Sequence, residues 1–160
     1  MLHIRFICVG KMKEKFYIDA FSEYAKRLGA YCRFECIELQ EQRLSDSPGP
    51  NEIAAALNTE ENEILKKIPA SALVIAMCVE GRSKNSEDFS KLITECTNRG
   101  TSCICFIIGG SFGLSDGVKA RADFRLSMSE MTFPHHLARV MLAEQVYRAF
   151  KIAEGSRYHK

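Results

Sequence analysis

Apolar and polar positions follow two different periods along this chain, and the changes of period predict ten secondary-structure elements. Short runs that alternate or are wholly apolar, such as LHIRFICVG and ALVIAMCV, are typical of strands. Runs with apolar residues three and four apart, such as EKFYIDAFSEYAKRLG, are typical of helices, and Ser86 is a predicted N-cap. The predicted strands cover 2–10, 31–39, 72–79, 102–110 and 124–128, and the predicted helices cover 14–29, 51–67, 87–99, 116–122 and 134–154.

Strict alternation of strand and helix predicts an α/β fold, with a parallel-type sheet covered by helices on both faces. The runs at 72–79 and 103–108 are the most apolar and are expected in the centre of the sheet. Ligands of such sheets bind beyond the carboxyl ends of the strands. Three loops are therefore candidates: the one after Val79, GGSFG after Ile108, and SEMTF after Met128. With no internal repeat or linker, residues 1–160 are expected to form one domain.

The glycines do not follow the usual nucleotide-binding patterns. The segment VGKMKE after the first strand has one glycine, which argues against an NAD or FAD site of the Rossmann kind, and no G-x-x-x-x-G-K-[ST] loop is present. Gly109, Gly110 and Gly113 instead follow the fourth strand. They allow backbone amides to approach a ligand closely, or they simply form a tight strand-to-helix turn. The pattern leaves both interpretations open.

The loop after the fifth strand mixes polar and apolar side chains. Ser129, Glu130 and Thr132 are polar, whereas Met131 and Phe133 are apolar. The proline that follows forces an extended or turned backbone at the end of this loop. Such a loop offers backbone hydrogen bonds beside an apolar wall, as an adenine ring requires. The alternative is a capping loop, with Thr132 as the N-cap of the last helix.

The last helix carries apolar residues around much of its circumference, which is typical of a helix that is fully buried or shared with a partner. A two-fold homodimer contact is the prediction that follows. Arg139 and Arg148 then need a carboxylate such as Glu144, or a phosphate; ordinary surface arginines are the alternative. The tail GSRYHK combines an imidazole, an aromatic ring and cations, although a disordered basic tail is the ordinary case.

Charge and cysteine content change this picture only slightly. The net charge is +2, but residues 1–33 hold seven Lys/Arg against three acids, and residues 34–65 hold one against eight. A basic face and an acidic face suit a polyanion partner, although a merely solvated charge pattern explains the counts equally well. The seven cysteines form neither a zinc pattern nor an even disulfide set, so we expect reduced core thiols and no metal.

No apolar run approaches membrane-spanning length, which argues against a membrane partner. The charges of MLHIRFICVGKMKEK follow its apolar segment, the reverse of a secretory signal. We therefore expect a cytoplasmic protein.

Several segments together resemble the RlmH family, SPOUT-class methyltransferases that modify large-subunit ribosomal RNA. The resemblance rests on HIRFICVGKMK, FIIGGSFGL and LSMSEMTFPHHLARVMLAEQVYRAFKIAEGSRYHK. It covers essentially the full chain, and the motifs G-G-x-x-G, T-x-P-H-x-x-x-R, E-Q-x-Y-R-A and Y-H-K are specific in combination.

The resemblance implies a C-terminal trefoil knot, an exception to the rule that chains avoid knots. It also implies a homodimer that binds S-adenosylmethionine in the knotted loops and methylates N3 of a pseudouridine in 23S ribosomal RNA of the assembled ribosome. Carried over by position, the implied donor-binding residues are Met77, Gly109, Gly110, Met128, Ser129, Glu130, Met131, Thr132 and Phe133.

The resemblance also gives the C-terminal segment a role on the acceptor side. We hypothesise that Tyr158 and His159 reach across the dimer, hold the target base and assist the loss of its N3 proton. Arg139 and Arg148 are expected to organise the dimer interface or to contact the RNA backbone.

One position departs from the family pattern, since relatives commonly carry L-D-x-x-G where this chain has MCVEG. Cys78 replaces the carboxylate, and Glu80 is the hypothetical substitute. Two other functions are compatible with the residues. One is a ribosome-binding factor that keeps the fold without the chemistry. The other is a methyltransferase of a different RNA, such as tRNA, which is expected to carry an added RNA-binding domain.

Overall fold

Strands and helices alternate through the computed structural model, which describes residues 1–159. Every pairing between its strands is parallel, so the predicted α/β class is confirmed. The elements are β1 (His3–Val9), α1 (Lys15–Leu28), β2 (Arg33–Leu39), α2 (Pro50–Lys67), β3 (Leu73–Ser83), α3 (Ser86–Asn98), β4 (Cys103–Ile108), α4 (Asp116–Arg121), β5 (Phe124–Ser127) and α5 (His135–Ala153).

The sheet has the strand order β2-β1-β4-β3-β5. The strand β4, predicted to be central, occupies the middle of the sheet, and every one of its residues is buried. The strand β3 lies between β4 and the short edge strand β5, so it is interior but not central. A wholly apolar sequence such as that of β4 requires cover on both faces, and the helices provide it.

Two apolar cores lie on opposite faces of the sheet, as the sequence predicted. The larger core joins Phe6 and alternate residues of β1 and β4 to α1, α3 and α5. Within it, the Phe6 ring meets Phe34 and Phe106 edge-on, at centroid distances of 5.0 and 5.5 Å. The smaller core joins Ile7 and its alternates to Ile64 of α2 and to α4. Successive side chains of a strand point to opposite faces, which assigns neighbours in β1 to different cores.

The third strand is longer than the sequence predicted, and the boundary expected at Val79 is wrong. It continues to Ser83, and its pairing with β5 shifts register between Met77 and Arg82. A bulge of this kind pushes the intervening residues out of the ladder and bends the strand. Gly81 is required at the bulge, because a Cβ there would lie 2.7 Å from the backbone carbonyl carbon of Leu126.

Two predicted helix caps are also wrong. The N-cap of α3 is Asn85, whose side chain accepts the Asp88 N–H at 2.8 Å. Ser86 lies one residue inside the helix and donates its hydroxyl to Gln145 at 2.8 Å. The N-cap position of α5 is occupied by Pro134 without a side-chain hydrogen bond, so Thr132 does not cap that helix.

The cysteines behave largely as expected. All seven thiols are free; Cys36 and Cys78 are half-buried, and the other five are buried. Within residues 1–159, no group of three or more metal-ligating side chains is arranged to hold an ion.

Over the same residues, no helix is both long enough and apolar enough to span a bilayer. The C-terminal trefoil knot stays a prediction.

Arg139 of α5 is buried inside this chain, with 1% of its surface exposed, so its predicted place at an RNA or dimer interface is wrong. Its guanidinium donates to Glu38 Oε2 at 2.7 Å and to the Gly10 carbonyl at 2.8 Å. The same Glu38 oxygen accepts the Met12 N–H at 2.8 Å. The arginine therefore joins α5 to the carboxyl ends of β1 and β2, where two acceptors compensate for its burial.

We expect Arg139→Met to lower the free energy of unfolding by about 2–3 kcal/mol, because Glu38 and the Gly10 carbonyl lose their donor. The expected loss is smaller than that for breaking a fully buried ion pair, since the Glu38 side chain is 36% exposed. Urea unfolding measures the change. The matched control is Arg43→Met on the exposed surface, expected to change stability by less than about 0.5 kcal/mol. Equal losses in the two variants would contradict this role.

Candidate functional site

A cleft of about 660 Å³ opens beside the bulge of β3 and at the carboxyl ends of β4 and β5. Its walls come from the bulged part of β3, from the loops after β4 and β5, and from the start of α5. This volume lies in the range of small-molecule and cofactor sites. The lining residues are Met77, Cys78, Val79, Glu80, Ile108, Gly109, Gly110, Ser111, Phe112, Gly113, Leu114, Lys119, Met128, Ser129, Met131, Thr132, Phe133, Pro134, His135 and Ala138.

The structure brings most of the predicted donor-binding residues into this one cleft. Glu130 is the exception, since it does not line the walls. Lys119 and His135 also line the cleft but were not among the predicted residues. The predicted residues that do line it are Met77, Gly109, Gly110, Met128, Ser129, Met131, Thr132 and Phe133. Their role in binding stays a prediction.

The glycine loop after β4 is a tight turn, as one of the two interpretations expected, and it also forms a wall of the cleft; a close approach of its amides to a ligand stays a prediction. The Gly113 N–H donates to the Gly110 carbonyl at 3.1 Å, and Gly113 has a φ of +77°. A Cβ on Gly109 would lie 2.4 Å from the Gly113 carbonyl oxygen. The backbone itself excludes side chains at these positions, so this wall of the cleft is formed by backbone atoms.

Glu41 holds this loop from the segment between β2 and α2. Its Oε1 accepts the Ser111 N–H at 2.8 Å, and a Cβ on Gly110 would lie 2.6 Å from the same oxygen. Burial works against ionisation of Glu41, but the Ser111 hydrogen bonds and the nearby His135 and His136 outweigh it. The pKa of the Glu41 carboxyl therefore lies below its ordinary value. No spacing in the sequence indicates this contact, because it joins residues 70 apart.

Three large apolar side chains of the cleft are well exposed. Val79 is 48% exposed, Phe112 47% and Met131 73%. Exposed apolar side chains that share one concave surface are typical of a ligand site rather than of a solvated surface. The fifth-strand loop below them is fixed by local bonds: Ser129 accepts the Met131 N–H at 3.0 Å on its hydroxyl and the Ser127 hydroxyl at 2.9 Å on its carbonyl.

The polar side of the cleft carries a cation and an acid. Lys119 of α4 pairs with Glu80, and this hydrogen bond holds the pKa of the Glu80 carboxyl below its ordinary value. Burial raises the pKa of the Cys78 thiol, so this side chain is neutral near pH 7. The carboxylate expected from the family pattern is thus absent at position 78, while that of Glu80 faces a lysine. Burial lowers the pKa of His135, which keeps its imidazole neutral as well.

Of the two predicted acceptor residues, His159 lies on a second groove of about 830 Å³, and Tyr158 is not among the residues that line it. This groove is lined by His159 and shares Met77 and Met128 with the first cleft. Tyr158 donates its hydroxyl to Glu144 at 3.1 Å, and the Arg148 guanidinium lies 4.9 Å from the Tyr158 ring centroid. The tail is therefore docked on its own chain, beside the cleft rather than inside it. Lys160 lies outside the described residues.

The contacts of His159 define its tautomer. Arg148, which can only donate, lies 3.3 Å from Nδ1, so Nδ1 is the acceptor. Nε2 lies 2.9 Å from Glu87 Oε1, and its N–H donates to that carboxylate. Arg148 also donates to Glu144, the carboxylate partner predicted for it. The imidazole is thus oriented by two charged side chains from α3 and α5.

The fold and the cleft define a class of protein. The family model described as predicted SPOUT methyltransferase matches residues 2–159, and the chain belongs to this family. Two solved structures show the same fold at low sequence identity. A probable methylase family protein from Haemophilus influenzae has a TM-score of 0.55 at 14% identity, covering 98% of this chain and 70% of its own. A probable methyltransferase from Bordetella pertussis has a TM-score of 0.55 at 14% identity, covering 91% and 93%.

Curated relatives are much closer in sequence and match from end to end. The protein named ribosomal RNA large subunit methyltransferase H of Clostridium botulinum strain Langeland is 49% identical over 159 residues, which cover 99% of this chain and 100% of the relative. The protein of the same name from Clostridioides difficile is 43% identical over the same coverage. The RlmH resemblance found in the sequence is confirmed by these matches.

The position of Glu41 predicts a pH dependence of stability. Because its folded pKa lies below the ordinary 4.5, its contribution is present above that value and is lost as the pH falls through the folded pKa. Glu41→Gln lacks this contribution, so the stability difference from the parent should shrink between about pH 6 and about pH 3. Urea unfolding across that range is the measurement. Asp46→Asn, on the exposed part of the same loop, is the control. A difference that does not vary with pH would exclude this role.

Proposed function

We propose that this chain is an S-adenosylmethionine-dependent methyltransferase that methylates N3 of a pseudouridine in 23S ribosomal RNA. It acts on assembled ribosomes as a cytoplasmic homodimer. The observation that carries the proposal is the cleft, which gathers eight of the nine positions implied for donor binding beside three neighbouring strands. The names of the full-length relatives support the ribosomal RNA substrate.

The residues of the cleft fit this donor. Phe112, Met131 and Val79 provide an apolar wall for an adenine ring, and the backbone of residues 128–133 provides hydrogen-bonding groups. Lys119 provides a cation for the carboxylate of the methionine part, although it must share that charge with Glu80. When bound, the donor supplies an electrophilic methyl group on its sulfonium. The cleft's main task is to hold donor and acceptor in line.

The second groove is the proposed place of the target base. Its wall contains Met77 and Met128, which also line the donor cleft, so a base in the groove lies next to the donor. The Tyr158 hydroxyl holds the base by hydrogen bonding. The His159 imidazole receives the N3 proton at Nδ1, the nitrogen that Arg148 releases when the base enters. Glu87 and Arg148 orient the imidazole. The docked tail serves the groove of its own chain, whereas the hypothesis drawn from the sequence places it across the homodimer, and a mixed dimer distinguishes the two arrangements.

Donor binding is tested by calorimetry with S-adenosylmethionine. The parent chain should bind, and Thr132→Trp should weaken binding by at least about tenfold, because an added indole occupies the cleft. Thr132 is exposed, so the fold tolerates the larger side chain. The control is Thr59→Trp on the exposed surface of α2, with unchanged affinity. No detectable binding by the parent chain would instead favour the ribosome-binding factor that lacks the chemistry.

The tail is tested on ribosomes from cells that lack the gene, with mass spectrometry locating the new methyl group. His159→Ala should lower kcat by about a hundredfold through loss of proton transfer, with donor affinity unchanged. Arg157→Ala, an exposed neighbour, is the control and should retain activity. Full activity of His159→Ala, or a methyl group on another nucleotide, would refute the corresponding part of the proposal.

A mixed dimer shows which chain supplies the tail. One protomer carries His159→Ala and the other carries Thr132→Trp, so neither homodimer has a complete site. If the tail acts across the dimer, the mixed dimer regains one working site and about half of the parent activity. If the tail acts within its own chain, the mixed dimer stays inactive.

A further inference from the structure

An exposed segment at the carboxyl end of β1 has a composition that neither the cleft nor the second groove explains. Residues 11–16 read KMKEKF, and the structure exposes Lys11, Lys13 and Lys15. Phe16 is 66% exposed, the largest exposed fraction of any aromatic side chain among the described residues. The Phe16 ring stands beside Tyr17 at a centroid distance of 4.4 Å. We call residues 11–16 the KMKEKF segment.

The segment is held in place rather than loosely attached. The Met12 side chain is 7% exposed, and its N–H donates to Glu38, which Arg139 also binds. Glu14 lies 3.3 Å from Nδ1 of His136 at the start of α5. With Met12 turned inward, Lys11 and Lys13 on either side of it face the solvent. The orientation of the two lysines is therefore fixed by buried contacts on the opposite side of the backbone.

The charge of the segment remains available to a partner. Of the nearby acids, Glu14 pairs with His136 and Asp19 pairs with Lys15. Within the described residues, the ion pairs leave Lys11 and Lys13 without a carboxylate. Two outward lysines next to an outward aromatic ring match single-stranded nucleic acid, whose phosphates bind cations and whose unstacked bases bind aromatic faces.

The segment also lies at the rim of the donor cleft. A Cβ on Gly10, the residue just before it, would lie 3.3 Å from Nε2 of His135 and 3.6 Å from Nε2 of His136. His135 lines the cleft itself. An RNA strand whose target base enters the site could therefore continue across this surface.

We propose that the KMKEKF segment contacts the RNA next to the target nucleotide, with Lys11 and Lys13 on phosphates and Phe16 stacked on an unpaired base. This inference rests on the proposed function and adds a surface for its substrate. An acidic protein would match the lysines but not the exposed ring, which is why RNA is the partner inferred.

The test compares variants of the full-length protein in steady-state methylation of ribosomes at several salt concentrations. Lys11→Ala/Lys13→Ala should raise the KM for ribosomes and should make the slope of log kcat/KM against log salt shallower by about 1.5, for two phosphate contacts. Phe16→Ala should raise KM by roughly tenfold without changing that slope, and Phe16→Trp should restore it. The affinity for S-adenosylmethionine should stay unchanged in each variant.

The matched control is Lys66→Ala/Lys67→Ala at the exposed end of α2, which removes the same charge near Arg5 in the amino-terminal half of β1, away from the segment at its carboxyl end. Equal effects in the two double variants, or an unchanged salt slope in the first, would overturn the inference while leaving the proposed function in place. A parent chain without activity on ribosomes would instead refute the proposed function.

The chemical nature of the partner is tested by crosslinking. A photoreactive phenylalanine analogue replaces Phe16, and the protein is irradiated on the ribosome. A crosslink to 23S RNA supports the inference, and a crosslink only to a ribosomal protein overturns it. A change in oligomeric mass for Phe16→Ala, measured by sedimentation, would assign the ring to contacts between copies of this chain and would also overturn it.

Discussion

Three segments that are far apart in the sequence meet at one charged side chain. The guanidinium of Arg139 lies inside the protein and binds Glu38 at the end of β2 and the carbonyl of Gly10 at the end of β1. Isolating this charge from water costs free energy, so the arginine is stable there only while both acceptors are present. The start of α5 is thereby fixed relative to the sheet. The cleft depends on that position, because His135 and Ala138 at the start of α5 form one of its walls.

The cleft is shaped more by backbone than by catalytic side chains. Gly109 and Gly113 approach each other too closely for a Cβ, and Glu41 holds the intervening loop through a backbone N–H. Loops fixed in this way keep their hydrogen-bonding groups in place before a ligand arrives, which reduces the entropy lost on binding. This arrangement suits a reaction in which the reactive group comes with the ligand and the protein mainly provides alignment.

Much of the fold followed from periodicity, because strand–helix alternation admits few topologies and parallel strands align their carboxyl ends. The position of the cleft was found for that reason. Errors arose where distant residues decide the outcome. Asn85 and Ser86 are equally good caps, but Ser86 is engaged by Gln145, 59 residues away. Arg139 was expected at a surface because its partner Glu38 lies 101 residues away.

Neither Glu41, which holds the glycine loop of the cleft, nor Lys119, which lines the cleft, was anticipated, since their contacts depend on the packed positions of distant elements. The extension of β3 was missed for a related reason. Polar residues after Val79 are typical of a loop, yet those beyond the bulge pair with the edge strand β5. An edge strand leaves one side of its neighbour near water, so polarity there does not end the ladder.

The wall shared by the donor cleft and the second groove has a thermodynamic consequence. Met77 and Met128 form a common wall, and methionine is an unbranched side chain that changes rotamer at little cost. An occupant of one groove that presses on this wall changes the volume of the other. The two affinities are then linked by a single coupling free energy, which acts equally in both directions. A wall of β-branched residues would have kept the two sites independent.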